Sequence, residues 1–461
     1  MKIKVKKDNL YFLLSVTLSM IIRFIPEAIF PYVIGFDTPL YFVMGKEWIK
    51  RPLPFPLFVA LLGSLYFIGV DLLLAMKILP ILLYGLLGYA SFMFAVKYLL
   101  WSNFASLLAS LNLSLSIAML RISWDMHKLT LGVALMLLSL SFWRSMKDVK
   151  SRAFFLILST LTIISHELIT VTYLLTMTIF IIRRGENRIS ALAVLLIGAS
   201  CFLGAWYGRN PEMVFGWIPI IFSSTPFSNV TYELHENALL ILKLYLLTLP
   251  ASIIGFFKDD AITVWFAFYL LGSLSTIFSP TFLLGGVLPW RYILLLAIPL
   301  STYATRGILI LGGKVGAWKP LLALILALFM NFPSYPFLTA LNAPIIYRHG
   351  GVMPEHMAQT SIPLHDIEPT INLLRKVGHG TLIVYGDFIG WAKYYTNARV
   401  IGFGGVYGEA PTLEQALALI RDDSEVFLIF WDDVIAERLG FQVLAMEGNL
   451  RLYKYVGCEE K

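Results

Sequence analysis

Short polar islands carry the chemistry-capable side chains of a chain of 461 residues that is otherwise apolar over 10–340. Asp37 lies in the segment Pro31 to Tyr41. A carboxylate just beyond a helix end can take a proton from a hydroxyl or hold a metal; as a loop residue it can equally cap the next helix. Asp125 and His127 flank Met126. At i and i+2 of an extended segment both would face one metal or one phosphate. The competing reading is a polar turn between helices, with Trp124 anchored at the interface. His166 and Glu167 interrupt an apolar run from 153 to 182. Ionisable groups at membrane depth are costly and usually functional, although the two can also form a structural pair in a tight turn. Arg291 follows Pro289 and Trp290. It can grip phosphate in bidentate fashion or snorkel to the head groups. Lys128 adds a second cation, and Lys77 and Arg23 sit within apolar runs, where they pair with Glu27 and Asp71 or line a lipid site. Glu233, His235 and Glu236 offer further metal or acid/base groups on a loop near 208–237, beside the glycosylation-type triplet Asn229-Val230-Thr231.

These islands need a membrane scaffold to position them. The chain is 58% hydrophobic and only 14% charged, against about 25% charged for soluble domains. Runs of apolar residues long enough to cross a core of about 30 Å are expected near 9–30, 71–97, 103–121, 129–143, 153–165, 168–182, 189–207, 238–257, 261–278, 288–305 and 317–338. The expected fold is therefore a polytopic α-helical membrane protein with about eleven transmembrane helices. Residues 55–69 open with prolines and are short, which suits an interfacial or re-entrant helix. The basic N-terminus lacks a following small-residue cleavage site and reads as a retained first helix.

Charge sets the orientation. Residues 1–339 carry a net +12 and residues 340–461 a net −5, so the basic excess belongs to membrane loops rather than to a nucleic-acid footprint. One set of alternate loops holds 16 Lys and Arg, the other 7. The positive-inside rule then puts the N-terminus in the cytoplasm of a multi-pass plasma-membrane protein. An odd number of spans puts the C-terminus outside, on the face that also receives the acids and histidines.

Residues 340–461 read as a small extracytoplasmic α/β domain, divided from a membrane domain of residues 1–339 whose first outer loop is 31–70. Apolar runs at 381–385, 425–430, 441–446 and 450–456 suit strands. Asp366–Val377 has helical spacing, Thr412 to Gln415 is a capping box, and Trp431-Asp432-Asp433 reads as a turn and helix cap. Cys201 and Cys458 imply no disulfide framework. P-loop, GxSxG, CxxC and HExxH patterns are absent, which removes the motifs of ATP-driven transport and thiol chemistry. Glutamine occurs three times, a scarcity that points towards a thermophilic source.

Taken together, the islands resemble the GT-C superfamily of integral-membrane glycosyltransferases, of archaeal type, which use sugars carried on polyprenyl (dolichyl) phosphate. Gly35-Phe36-Asp37 with Tyr41 resembles the acidic motif of that superfamily's first outer loop. The prolines from Pro52 to Pro56 and the segment to Gly69 resemble the amphipathic element that follows it, and Lys77-Ile78-Leu79-Pro80 the basic start of the next helix. Asp125-Met126-His127 is similar to the second acidic motif, and Arg291 to a late arginine that grips phosphate. A Trp-Trp-Asp-Tyr-Gly motif is absent from the tail, which favours transfer of a single hexosyl or pentosyl unit over transfer to asparagine.

The resemblance implies an inverting transferase for glycan biosynthesis, with Asp37 as base towards an acceptor hydroxyl on a lipid-linked glycan, a lipid or a protein. The donor phosphate would be held by Arg291, Lys128, Lys77, His166 and Glu167. Cofactor use stays open between none and a divalent metal, Mg or Mn, with Asp125 and His127 joined by Asp37 as the ligand set. The alternatives are a polytopic transporter or flippase, for which internal repeats are missing, and a non-catalytic GT-C-like scaffold.

Overall fold

A computed structural model describes residues 7–35, 37–50, 52, 56–183, 187–209, 230–275, 289–313, 318–332, 362, 364–404, 411–420 and 425–457. Along the chain the helices begin with α1 (Lys7–Ile29), α2 (Thr38–Trp48), α3 (Leu57–Phe67) and α4 (Leu72–Met93). There follow α5 (Asn103–Leu115), α6 (Ile117–Asp125), α7 (His127–Ser141), α8 (Val149–Ile163), α9 (Glu167–Arg183) and α10 (Arg188–Arg209). The last of this series are α11 (Val230–Tyr245), α12 (Leu249–Ile254), α13 (Asp260–Ser273), α14 (Pro289–Leu295), α15 (Ala297–Gly312) and α16 (Lys319–Met330). The C-terminal part runs α17 (Leu364–Leu374), β1 (Thr381–Tyr385), α18 (Ile389–Tyr395), β2 (Arg399–Phe403), α19 (Leu413–Ala418), β3 (Val426–Phe430), α20 (Asp433–Arg438), β4 (Phe441–Glu447) and β5 (Leu450–Tyr455).

The chain is thus mostly helical, with a mixed five-stranded sheet near its C-terminus. Three helical stretches among the described residues are long and apolar enough to cross a bilayer: Asn9–Ile29, Leu72–Tyr98 and Pro289–Gly312. A fourth exists if α5 and α6, bent by 61° at their junction, count as one span. The expectation of about eleven spans is not met. Other expected runs form shorter helices, such as Asp260–Ser273 and Lys319–Met330, while the short helix expected over 55–69 is present as Leu57–Phe67. At a rise of about 1.5 Å per residue, a 15-residue helix like α7 covers only about 22 Å of the roughly 30 Å core. Small polar residues make the breaks: Ser116 is extended (ψ 124°) and splits the expected 103–121 helix, and Ile164 to His166 turn the chain between α8 and α9.

The described residues group into two units, each with its own core. The first, helical unit draws on Met1–Tyr32, Leu53–Leu61 and Leu74–Met357. Its helices meet through small polar side chains, as lipid-solvated helices do where hydrophobic burial gives no drive to associate. Ser15 Oγ and Ser110 Oγ lie 2.7 Å apart, as do Ser19 Oγ and Ser114 Oγ, joining α1 to α5. Asn112 of α5 donates to Thr305 Oγ1 of α15 at 2.9 Å and accepts from Asn331 Nδ2, just past α16, at 3.3 Å.

The second unit draws on Val33–Pro52, Leu62–Leu73 and Ala358–Lys461. The expected boundary at 339/340 lies outside the described residues. The sheet has the order β2-β1-β3-β5-β4, parallel across β2, β1 and β3 and antiparallel for β5 and β4. β3 (Val-Phe-Leu-Ile-Phe) is buried along its whole length, as a central strand covered on both faces must be. β1, β3, β4 and β5 fall where the apolar runs placed them, and β2 is an addition. Thr412 and Gln415 form the capping box that opens α19, and Asp432 accepts from the Ile435 amide at 3.1 Å to start α20. The helix that follows Asp37 joins this unit: α2 packs on α18, with Phe42 4.5 Å from the Tyr394 ring and Lys46 Nζ donating to Tyr394 O at 2.8 Å.

Candidate anion-binding site

Three groups of charged residues in the helical unit involve the islands singled out above. In the first, Glu27 of α1 lies between two cations. Arg23, one turn earlier, is 2.8 Å from one carboxylate oxygen, and Lys77 of α4 is 3.0 Å from the other. Lys77 Nζ also donates to the Glu27 and Phe30 carbonyls at 3.1 and 2.5 Å. Arg23 Nε donates to Ser123 O of α6 at 3.4 Å. Lys77 is therefore committed to α1, as one of the two sequence readings expects, and its partner is Glu27.

The second group corrects the geometry expected around Met126. The segment is not extended. Asp125 ends α6 and His127 begins α7, with Met126 (φ −99°, ψ 61°) as the hinge. Asp125 pairs with Arg121 one helical turn before it, at 3.0 Å, both side chains buried. His127 is buried with its ring stacked on Phe58 at 5.2 Å. Asp125 and His127 thus leave a shared i, i+2 face and enter separate contacts. Among the described residues no group of three or more His, Cys, Asp or Glu is placed to hold a metal ion. His235 and Glu236 lie on α11 rather than on a loop, His235 exposed; the Glu233 side chain and Asn229 lie outside the described residues.

The third group draws on residues from three separate sequence islands. His166 sits in the turn between α8 and α9 and is 7% exposed. Its Nδ1 accepts from the Leu168 amide at 3.1 Å, which leaves the proton of the neutral ring on Nε2. The Glu167 carboxylate lies 3.7 Å from Nδ1. Burial above all, with the positive charges of Lys128 and Arg291 and against the pull of Glu167, holds the His166 imidazole far below its ordinary range, to about 3. Lys128 enters from the first turn of α7 and Arg291 from the start of α14. Arg291 lies over the Trp290 ring at 5.3 Å, and its Nε is buried with no hydrogen-bond partner. The positive charges of Lys128 and Arg291 thus act on a ring that offers an N–H donor beside the first turn of α9, whose amides also favour negative charge.

Local packing explains why the turn sits there. A Cβ on Gly132 of α7 would lie 2.7 Å from Ser165 Oγ and 3.2 Å from Ile169. Only glycine lets α7 approach the turn this closely. Ser165 Oγ donates to Thr162 O at 2.6 Å, Thr170 Oγ1 to Ile163 O at 2.7 Å, and the Leu57 amide of α3 to Ile164 O at 2.9 Å. Sequence reasoning did not single out Gly132, because a glycine inside an apolar run carries no signal of what it packs against.

Asp37 stands in the second unit. It is half-buried at the N-cap of α2, where its carbonyl accepts from the Leu40 and Tyr41 amides, but its side chain does not cap the helix. Thr38 Oγ1 donates to Ile34 O at 2.6 Å, and Gly35 has φ +113°, so the approach to Asp37 is a tight turn. A Cβ on Gly390 of α18 would come 2.7 Å from Pro39, which marks how closely α2 is seated. No protein-family model matches this chain, and no curated protein matches it in sequence.

Proposed function

We propose that the protein is a membrane glycosyltransferase that moves a single sugar from a polyprenyl-phosphate donor to an acceptor hydroxyl. The reading is supported above all by the buried Arg291 Nε without a partner, together with the positive charges of Lys128 and Arg291 acting on a neutral His166. A donor of this kind leaves a lipid phosphate. Its negative charge grows as the bond to the anomeric carbon breaks, so preorganised donors aimed at the phosphate lower the barrier. Arg291, with a buried unpartnered Nε, is assigned to that phosphate, and Lys128 and His166 assist it.

The acceptor hydroxyl needs a base, and Asp37 holds that role on its sequence position. Attack opposite the leaving phosphate inverts the anomeric centre. The supporting frame is a polytopic GT-C-like membrane protein of the plasma membrane, N-terminus cytoplasmic and sheet-bearing unit outside, as the loop charges direct.

The test is binding and turnover of synthetic polyprenyl-phosphate sugars by purified protein. Asp37→Asn should bind donor normally and lose transfer. Full transfer by folded Asp37→Asn would remove the base assignment, and absence of donor binding by folded wild-type protein would overturn the enzyme.

A further inference from the structure

The C-terminal sheet changes its winding direction at β1. From β1 the chain crosses to β2 on one side, then returns to place β3 on the other. Open sheets with parallel strands bind ligands outside the carboxyl ends of the strands at such a switch point. Here those ends are aromatic. Tyr385 closes β1, Phe430 closes β3, and Trp431 follows, with ring centroids 5.2 Å from Tyr385, 4.7 Å from Phe430 and 6.3 Å from Phe388. Three rings back the indole, yet Trp431 is 45% exposed. Beside it opens a cleft of about 430 Å³, lined by Trp431, Asp366 of α17, and Gly448, Asn449, Leu450 and Arg451 at the β4–β5 turn. This volume falls in the range of small-ligand sites, roughly 300–1,000 Å³.

The lining selects a chemical class. An indole braced from behind offers a flat apolar face. Asp366 supplies an acceptor, Asn449 both donor and acceptor, and Arg451 donors. Arg451 is already paired with Asp433 at 3.0 Å, and Asp433 in turn accepts from Tyr453 at 2.6 Å. The guanidinium is therefore no free anion trap, and residues 340–461 carry net negative charge. A ligand with one apolar C–H face, several hydroxyls and no charge meets these terms. We infer that the cleft at Trp431 is a binding site for a neutral saccharide, separate from the phosphate-directed cluster of the helical unit.

The experiment uses the full chain in a detergent without a sugar head group, and calorimetric titration with maltotriose, cellotriose, mannotriose and triacetylchitotriose. These probes lack phosphate and lipid, so the result does not depend on donor chemistry. Saturable binding of at least one is expected. Trp431→Ala should weaken it by about tenfold or more, as removal of a central aromatic anchor does. Asn449→Ala should weaken it several-fold, while Arg291→Ala leaves it unchanged. Should Trp431→Ala lower the unfolding midpoint, the exposed Asn449→Ala decides instead. Binding of none of the four, or equal binding by wild type and both cleft variants, overturns the site.

Discussion

Arg23, Glu27 and Lys77 place one carboxylate between two cations inside the helical unit, whereas Lys128 and Arg291 stand around a buried neutral imidazole. Both sets hold cations in an apolar frame, yet they use them differently. Lys77 gives its hydrogens to one carboxylate oxygen and two carbonyls of α1, so its charge serves to bind α4 to α1. Arg291 keeps a buried Nε with no acceptor. A buried donor left unmet costs about 1–3 kcal/mol, a cost that an incoming anion removes. The contrast teaches that burial of charge alone does not mark a site: Arg23 and Lys77 are each ion-paired with the Glu27 carboxylate, whereas Arg291 is in no ion pair among the described residues.

The sharpest way to break this comparison is at Glu27. Glu27→Ala leaves Arg23 and Lys77 facing each other without their anion, and loss of one member of a buried pair costs about 3–5 kcal/mol. Denaturant unfolding of the purified protein should show a loss of that size. A loss below about 1 kcal/mol, the surface-pair range, would mean that the triad is solvated and the contrast false.

Next in size is Arg291. Arg291→Ala removes a charge-assisted contact worth about 1.5–3 kcal/mol, so donor binding should weaken by roughly 10- to 150-fold, with stability nearly unchanged. Arg291→Lys should recover only part, since a point charge cannot reproduce the planar fork. The mirror image of the Glu27 result is what matters: stability falls in one variant, binding in the other.

Much of this was legible beforehand, for physical reasons. Strand runs such as Val426–Phe430 announce themselves because a buried strand needs an unbroken apolar sequence, and the Thr412–Gln415 capping box because its hydrogen bonds are local. The islands at Lys128, His166 and Arg291 stood out because charge is rare in such a chain. What stayed hidden depends on contacts between distant segments. Nothing local reports that α2 packs on α18, or that β2 exists at Arg399–Phe403, where a glycine and flanking polar residues weaken the pattern. Span number failed because apolar composition fixes that a segment avoids water, not that it continues straight: Ser116 cuts the run over 103–121 that hydropathy alone joins, whereas the turn at Ile164–His166 falls where the His166-Glu167 island already placed it.

Gly132 tests whether the cluster is built by packing. With 2.7 Å between an added Cβ and Ser165 Oγ, Gly132→Ala must push α7 away from the turn, at an over-packing cost of about 1–3 kcal/mol. The same displacement carries Lys128 and its partner His166 apart, so donor affinity should fall together with stability. Gly132→Ala with normal stability and normal binding would show that the turn yields freely and that its register does not set the site.

The smallest effect expected is also the one that reads the His166 proton directly. In the folded protein the imidazole stays neutral down to about 3, whereas in the unfolded chain it takes up a proton near its ordinary value of about 6.5. Between these values the unfolded state binds the extra proton, so stability must fall as pH drops through the window and level off above it. One proton gives a slope of about 1.4 kcal/mol per pH unit. Carboxylates contribute slopes of their own at the acid end, so the comparison is with His166→Gln, whose amide keeps a donor and has no proton to gain. Unfolding measured from pH 7.5 to 5 should show a slope in the wild type that is shallower by about one proton in His166→Gln. Equal slopes would mean that His166 is solvated when folded, and the ring would then meet the phosphate as a titrating cation. Donor binding separates the two cases once more. With a neutral His166 the wild type carries no binding step between pH 7.5 and 6 that His166→Gln lacks, while a charged one would add such a step near the ordinary histidine value.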